Sequence, residues 1–311
     1  MENLLSATGA ILITGPTASG KSALAVKLAK QHGGAVINAD SMQVYDTLRV
    51  LTARPSEMDM EGVPHHLYGH VPAGSAYSTG GWLRDVTALL PELARKGQVP
   101  VFVGGTGLYF KALTGGLSDM PEIPAAIRER LRERLKAEGP EALHRVLEAK
   151  DPETAATLNV GDGQRIVRAL EVVEATGKPI RFFQKQNGPM IVDPDRAEKY
   201  VVLPERKLLH DRINRRFELM LSGGAIDEVR TLLSLDLPPE MPLMKAIGVS
   251  QIAALLRGEL DEAEVIEMGA AATRQYAKRQ MTWFRNQLDE SWRRIERAEA
   301  VLSSGGANSR P

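Results

Sequence analysis

The chain has 311 residues, 43% of them hydrophobic, with 39 basic and 39 acidic side chains and no cysteine. That length allows about two domains, each with its own core, and the even charge balance excludes a basic field over the whole molecule, so any nucleic-acid surface must be local. Without cysteine there can be no disulfide, thiolate metal site or cysteine nucleophile, which suits a reducing compartment.

Met1-Glu2-Asn3-Leu4-Leu5 carries no basic leader, and the first apolar run leads straight into a glycine-rich loop, so it is read as part of the fold. No stretch approaches the roughly 20 apolar residues of a membrane span. The expectation is a cytoplasmic protein with no membrane contact.

Ala10 to Thr14 is a short apolar run bounded by glycine, as in a buried parallel strand, and Ser22 to Lys30 has helical composition and spacing. Further strands are expected at Ala35 to Ala39, closing on Asp40, and at Val99 to Val103, closing on Gly104-Gly105-Thr106-Gly107. From about Leu117 the texture becomes helical: Pro124 to Glu138, Pro140 to Lys150, Pro152 to Leu158, and Arg165 to Thr176 before Gly177. Proline near a helix start and glycine beyond its end are the expected punctuation. Tyr200 to Leu203 reads as a strand returning to the sheet, followed by helices at Leu208 to Leu221 and Ala263 to Gln287. The fold class expected is α/β, a P-loop NTPase-like parallel sheet flanked by helices, with an inserted all-helical domain. Residues 1–116 and 200–298 would form the catalytic body and 117–199 the insertion, with 299–311, rich in glycine and serine, a disordered tail.

Gly15-Pro16-Thr17-Ala18-Ser19-Gly20-Lys21-Ser22 has the full spacing of a phosphate-binding P-loop between a strand and a helix. Its backbone N–H groups and the helix N-terminus would surround phosphate oxygens, with Lys21 contacting phosphate and Ser22 holding Mg²⁺. The motif does not say which bond breaks. In open α/β sheets ligands bind beyond the carboxyl ends of the strands, so Asp40 and Thr106 should face the same side as the P-loop. Asp40-Ser41-Met42-Gln43-Val44-Tyr45 suits an organic acceptor better than a water molecule. Asp40 could be a general base and Gln43 could read a base edge; the alternative is that Asp40 and Ser41 only cap the next element.

These two segments closely resemble the tRNA dimethylallyltransferase family. So do Val63-Pro64-His65-His66-Leu67, Val103 to Tyr109, Gln164 to Glu171 and Ala277 to Arg285, in family order from near residue 10 to about 285. The resemblance implies transfer of a dimethylallyl group from dimethylallyl diphosphate to N6 of the adenosine just 3′ of the anticodon, with the P-loop holding a leaving diphosphate. It is coherent with the chemistry, because Mg²⁺, Lys21 and preorganised N–H donors would stabilise the charge that builds as the allylic C–O bond breaks.

Carried over residue by residue, the resemblance makes Asp40 the general base and places Thr106 near the reacting groups. Lys111 and Arg216 would help neutralise diphosphate, and Ser41, Met42 and Gln43 would hold the adenine. The anticodon loop would meet Asp162-Gly163-Gln164-Arg165-Ile166 and Arg128, with Lys245, Lys278, Arg279 and Arg285 contributing further tRNA contacts. Without the resemblance, the Arg128 to Arg134 run reads as a solvated helix face, and Lys111 and Arg216 could equally be solvated surface cations. An adenine stacked in the loop must be extruded to react.

Arg274 to Arg294 holds six basic residues against Asp289 and Glu290, a local excess that the neutral total hides. Helical spacing puts Arg274, Lys278 and Arg285 on one stripe beside an apolar stripe of Ala277, Met281, Phe284 and Leu288. Trp283 reads as packing, and His65, His66 and His70 as hydrogen-bonded structural residues. Where the family has Ile-Gly-Tyr and a basic residue, this chain has Ile247-Gly248-Val249-Ser250, so a tRNA contact there is expected to be weakened or rearranged. A monomer is expected. A P-loop kinase, a prenyltransferase acting on a free adenine nucleotide, and a non-catalytic RNA-binding switch are the rival readings.

Overall fold

The computed structural model describes residues 9–115, 118, 120–185, 188 and 190–297. The chain divides into two compact units, Met1–Thr114 with Ile191–Pro311, and Gly115–Met190.

In the first unit β1 (Ile11–Thr14), α1 (Lys21–His32), β2 (Ala35–Asn38), the short α2 (Glu57–Met60), β3 (His65–His66), α3 (Thr79–Arg95), β4 (Pro100–Gly104) and α4 (Gly107–Gly115) follow in order. The second unit contributes α5 (Ala125–Glu138), α6 (Pro140–Lys150), α7 (Pro152–Ala155), α8 (Gly163–Thr176) and α9 (Ile180–Gln184). The first unit then resumes with β5 (Glu198–Val202), α10 (Arg206–Met220), α11 (Ile226–Ser234), α12 (Val249–Leu256), α13 (Glu262–Gln287) and β6 (Arg293–Ile295). All the strands lie in one sheet of order β3-β2-β4-β1-β5-β6, and every pairing is parallel.

Fully parallel sheets are covered on both faces, which is why β1, β2 and β4 are buried along their whole length and read as continuous apolar runs. One face packs Leu12, Ile37 and Phe102 against Trp82, Val86, Leu93 and Phe110; the other packs Ile13, Val36 and Val103 against Leu24, Ala25 and Leu28 of α1. β3 and β6 have two and three residues and hold His65, His66, Arg293 and Arg294, so no apolar alternation announces them. α3 starts on Thr79-Gly80-Gly81 and carries Pro91, which masks a helix that Ser78 caps through the Gly81 N–H. Pro152 starts a helix that ends at Ala155, three residues short of the expected Leu158.

The second unit has its own core of Leu131, Leu143, Leu147, Ile166, Leu170 and Val172. Its span is shorter than the compositional estimate of 117–199, because the Ile191 and Val192 N–H groups already donate to the Leu113 carbonyl in the first unit. The expected tail at 299–311 lies outside the described residues. Among the described residues no helix is long and apolar enough to cross a membrane.

β2 and β4 pass so closely at their carboxyl ends that a Cβ on Gly104 would sit 1.9 Å from the Ala39 carbonyl oxygen. Gly104→Ala is therefore expected to cost about 2–4 kcal/mol in urea denaturation, since neither strand can retreat without opening the core.

Candidate active site

The P-loop links the end of β1 to the start of α1 and takes backbone conformations that its sequence permits. A Cβ on Gly15 would lie 2.6 Å from the Val202 carbonyl oxygen, so β5 can approach only a glycine there. Gly20, at φ 92°, caps α1 without a side-chain hydrogen bond, and Ala18 is left-handed at φ 62°. A non-glycine residue in that region is mildly strained, a cost typical of functional loops. The buried Ser19 hydroxyl has no hydrogen-bond partner, an orphan of the kind that a bound phosphate would satisfy.

Lys21 is partly enclosed behind this loop, and its ammonium donates to the Pro16 carbonyl at 3.2 Å. Burial pushes its pKa down to about 8, opposed by the charge of Asp40 and assisted by that of Arg216. Burial likewise pulls the Arg216 guanidinium below its ordinary value, with Asp40 opposing. Ser22 follows, exposed, in the first turn of α1.

Asp40 stands just past β2, and its backbone is clamped by the buried Asn38. The Asp40 N–H donates to Asn38 Oδ1 at 2.9 Å, while Asn38 Nδ2 donates to the carbonyls of Asp40 and Leu67, both at 3.0 Å. Asp40 Oδ1 accepts the Met42 N–H at 2.9 Å. From the end of β4, Thr106 Oγ1 accepts the Ser41 N–H at 3.0 Å and donates to Ser41 Oγ at 3.2 Å. The two strand ends are thus tied together as the parallel topology requires, and Asp40 and Thr106 lie on the P-loop side of the sheet. Asp40 also raises the pKa of Tyr68, Tyr109 and Tyr276, in each case after the larger effect of burial.

Asp40, Ser41 and Met42 line a cavity of about 310 Å³ with Thr17 and Ala18 of the P-loop, whereas Ser19, Lys21 and Ser22 line a second cleft of about 430 Å³ that shares Ala18 and Arg216 with it, and Thr106 lines neither. The apolar wall of the first is Leu51, Ile213, Phe217, Met220 and Ile247, and Arg216, Lys245, Arg279 and Tyr276 stand around it. The loop carrying Leu51 and Thr52 is pinned by Glu228, whose carboxylate accepts the N–H groups of Arg49, Val50 and Leu51 at 3.0, 2.7 and 3.1 Å. Glu228 and the apolar wall come from elements far apart in sequence and carry no motif that names them.

Several sequence-predicted residues lie elsewhere. Lys111 is exposed on α4 and does not line this cavity. Gln43 Nε2 donates to the carbonyls of Thr52 and Ala53, both at 2.9 Å, so its donor is committed to the loop and only its acceptor oxygen is left for a base edge. Ile166 is fully buried in the core of the second unit and cannot present its side chain to a ligand. Gln164, Arg165 and Arg128 are exposed on that unit; Asp162 caps α8 through the Arg165 N–H, and Gly163 abuts Leu135.

On α13 the expected basic stripe holds: Arg274, Lys278 and Arg285 line another cleft of about 430 Å³ with Arg206 and His210; of the apolar stripe Ala277, Phe284 and Leu288 are buried, but Met281 is half-buried and, with Ala277, forms part of that cleft. Arg279 faces the other way, onto the Asp40 cavity. Trp283 packs over Gly107, where a Cβ would meet its ring at 2.3 Å. Val249 is buried in the core beyond Gly248, so the altered segment offers the cavity Lys245, Ala246 and Ile247. His65 bonds the Val63 carbonyl and His70 meets Tyr77 and Asp85, but buried His66 Nε2 has no partner, unlike the bonded role expected of it.

The model of the family described as IPP transferase matches residues 43–287, and that described as isopentenyl transferase matches residues 8–68. A tRNA dimethylallyltransferase of Rhizobium etli is 73% identical over 295 residues, 95% of this chain and 99% of the relative. Among solved structures, the tRNA isopentenylpyrophosphate transferase of Bacillus halodurans superposes with a TM-score of 0.67 at 32% identity, covering 96% of this chain and 94% of that one. A eukaryotic dimethylallyltransferase described as acting on tRNA gives a TM-score of 0.73 at 28% identity, covering 89% of this chain and 70% of that one.

Proposed function

The chain belongs to the IPP transferase family, and on that premise we propose that it transfers a dimethylallyl group from dimethylallyl diphosphate to N6 of the adenosine immediately 3′ of the anticodon in tRNA. The observation that carries the reading is a single cavity lined at once by residues of the phosphate loop, by a fixed carboxylate and by an apolar wall of Leu51, Ile213, Phe217 and Met220. Such a wall suits a five-carbon allyl chain, whereas the phosphoryl group that a kinase transfers is polar on every side.

In this mechanism the amides of Ala18 to Ser22 receive the diphosphate together with the Lys21 and Arg216 side chains, and Ser19 Oγ finds there the partner it lacks; Pro16 has no N–H to offer and that of Thr17 is already bonded to Gln280. Mg²⁺ suits the donor set: it binds few protein ligands and takes most of its shell from phosphate and water, so the Ser22 hydroxyl would suffice on the protein side. Bound there, it would neutralise charge on the leaving diphosphate. The N6 amine attacks the allylic C1 as the C1–O bond breaks, the bonding electrons leave with diphosphate, and Asp40 takes the N6 proton. Thr106 and Ser41 hold Asp40's loop, Ser41 and Met42 of the cavity lining face the extruded adenine, and Gln43, outside that lining, would reach it only through its acceptor oxygen.

The RNA would lie on local basic surfaces, Lys245 and Arg279 at the cavity and the Arg274, Lys278 and Arg285 cleft, with Gln164, Arg165 and Arg128 of the helical insertion meeting the anticodon loop. Lys111 would act only at the margin. The enzyme is read as a monomer working in the cytoplasm.

The test supplies purified protein with unmodified tRNA, Mg²⁺ and either labelled dimethylallyl diphosphate or γ-labelled ATP, with AMP as an alternative acceptor. Label is expected in tRNA from the first donor alone. Label on AMP, or phosphate on any acceptor, overturns the assignment.

A further inference from the structure

We infer that Gln280 is a positioning residue that fixes the distance between the phosphate loop and the catalytic carboxylate; this rests on the prenyl-transfer reading. Gln280 lies on α13, facing inward between Tyr276 and Phe284, and is 6% exposed. Both ends of its amide are engaged: Oε1 accepts the Thr17 N–H of the P-loop at 3.0 Å, and Nε2 donates to the Gly105 carbonyl at 3.0 Å. One planar group thus spans the loop after β1 and the loop after β4, which are joined to α13 by no shorter path along the chain.

Two features mark this bridge as more than a satisfied core amide. A Cβ on Gly105 would lie 2.2 Å from Gln280 Nε2 and 3.6 Å from Asp40 Oδ2, so the glutamine occupies space that glycine vacates next to the carboxylate. The Thr17 N–H, a donor that a P-loop would ordinarily leave to phosphate, is spent on Gln280, which fixes the loop's orientation before any ligand arrives. Thr17 and Asp40 both line the reaction cavity, as do Tyr276 and Arg279 of the same helix. Displacing one wall by about 1 Å can cost about 100-fold in rate, because attack needs the reacting atoms near van der Waals contact.

The decisive variants are Gln280→Met, which keeps length and burial but loses both hydrogen bonds, and Gln280→Glu. A protonated glutamic acid can still accept from Thr17 and donate to the Gly105 carbonyl; the carboxylate can only accept. For Gln280→Met we expect kcat to fall about 10- to 100-fold, with tRNA affinity within about 3-fold of wild type. For Gln280→Glu we expect the deficit in kcat relative to wild type to shrink steadily from pH 8 to pH 6 while the protein stays fully folded by circular dichroism across that range, so that the recovery reports positioning and not refolding. Affinity for inorganic diphosphate, measured by calorimetry at pH 8, should fall about 3- to 10-fold in both variants. That last measurement does not depend on prenyl transfer: if wild type puts no label into tRNA, the functional reading fails while the calorimetry still decides the role of Gln280 at the loop. Unchanged kcat and diphosphate affinity in a folded Gln280→Met, a rate loss matched by lost tRNA affinity, or a pH-independent deficit in Gln280→Glu would overturn the inference.

Discussion

Asp40→Asn is expected to lower transfer to tRNA by about 10²- to 10⁴-fold at saturating substrates while leaving tRNA affinity within about 3-fold of wild type. The amide is isosteric, and its oxygen can keep the Met42 N–H that Asp40 Oδ1 now accepts at 2.9 Å. The Asn38 clamp acts on the backbone of residue 40, so the loop should stay in place. What disappears is the capacity to receive a proton from the attacking amine, and with it the negative charge facing Lys21 and Arg216. Single-turnover rates and filter binding on the same preparations separate the two effects. A parallel loss of rate and affinity would make Asp40 a binding residue and sink the base assignment.

Lys21→Met carries the second large effect, with opposite signs for activity and stability. Turnover should fall about 10²- to 10³-fold, as when one preorganised donor to a developing anion is removed. Folding stability at pH 7, however, should rise by an amount on the order of 1–3 kcal/mol, because the native fold holds a desolvated ammonium that the thioether replaces. The pKa of Lys21 falls from 10.5 in its ordinary state to about 8 in the fold. Between those values the unfolded chain binds more protons than the native one, so wild-type stability rises with pH through that window and the advantage of methionine shrinks. Denaturation midpoints of both proteins at pH 7, 8, 9 and 10 check it. A gap that stays constant across the window would show that Lys21 is not the group titrating.

The strain at Ala18, the unpartnered Ser19 hydroxyl and the depressed Lys21 pKa all lie in one eight-residue loop. Each is unfavourable to folding alone, and each is relieved or used when a diphosphate binds. Local cost concentrated at one loop on a rigid sheet is the usual sign that the structure was selected for what binds there.

The chemistry of the site was legible where the residues that perform it are neighbours in sequence. The spacing from Gly15 to Ser22 dictates a phosphate cradle by backbone geometry alone, and Asp40 and Thr106 could be placed beside it because strands of a parallel sheet all end on one side. Continuous apolar runs marked β1, β2 and β4, and proline and glycine punctuation marked α5 and α6. The apolar wall of Leu51, Ile213, Phe217 and Met220 was not legible, since an apolar residue lining a cavity looks the same in sequence as one filling a core. Nor could periodicity show that Gln43 Nε2 is committed to Thr52 and Ala53, that Lys111 stands outside the cavity, or that Ile166 lies in the insertion's core. Gln280 reaches partners 263 and 175 residues away, and only the packing of α13 across the sheet brings them within hydrogen-bond range. Local sequence therefore determined the phosphate loop, the parallel strands and the type of each reactive group. The tertiary structure alone decided which of those groups meet, because a hydrogen bond or a cavity wall depends on distances of a few ångströms that chain separation does not encode.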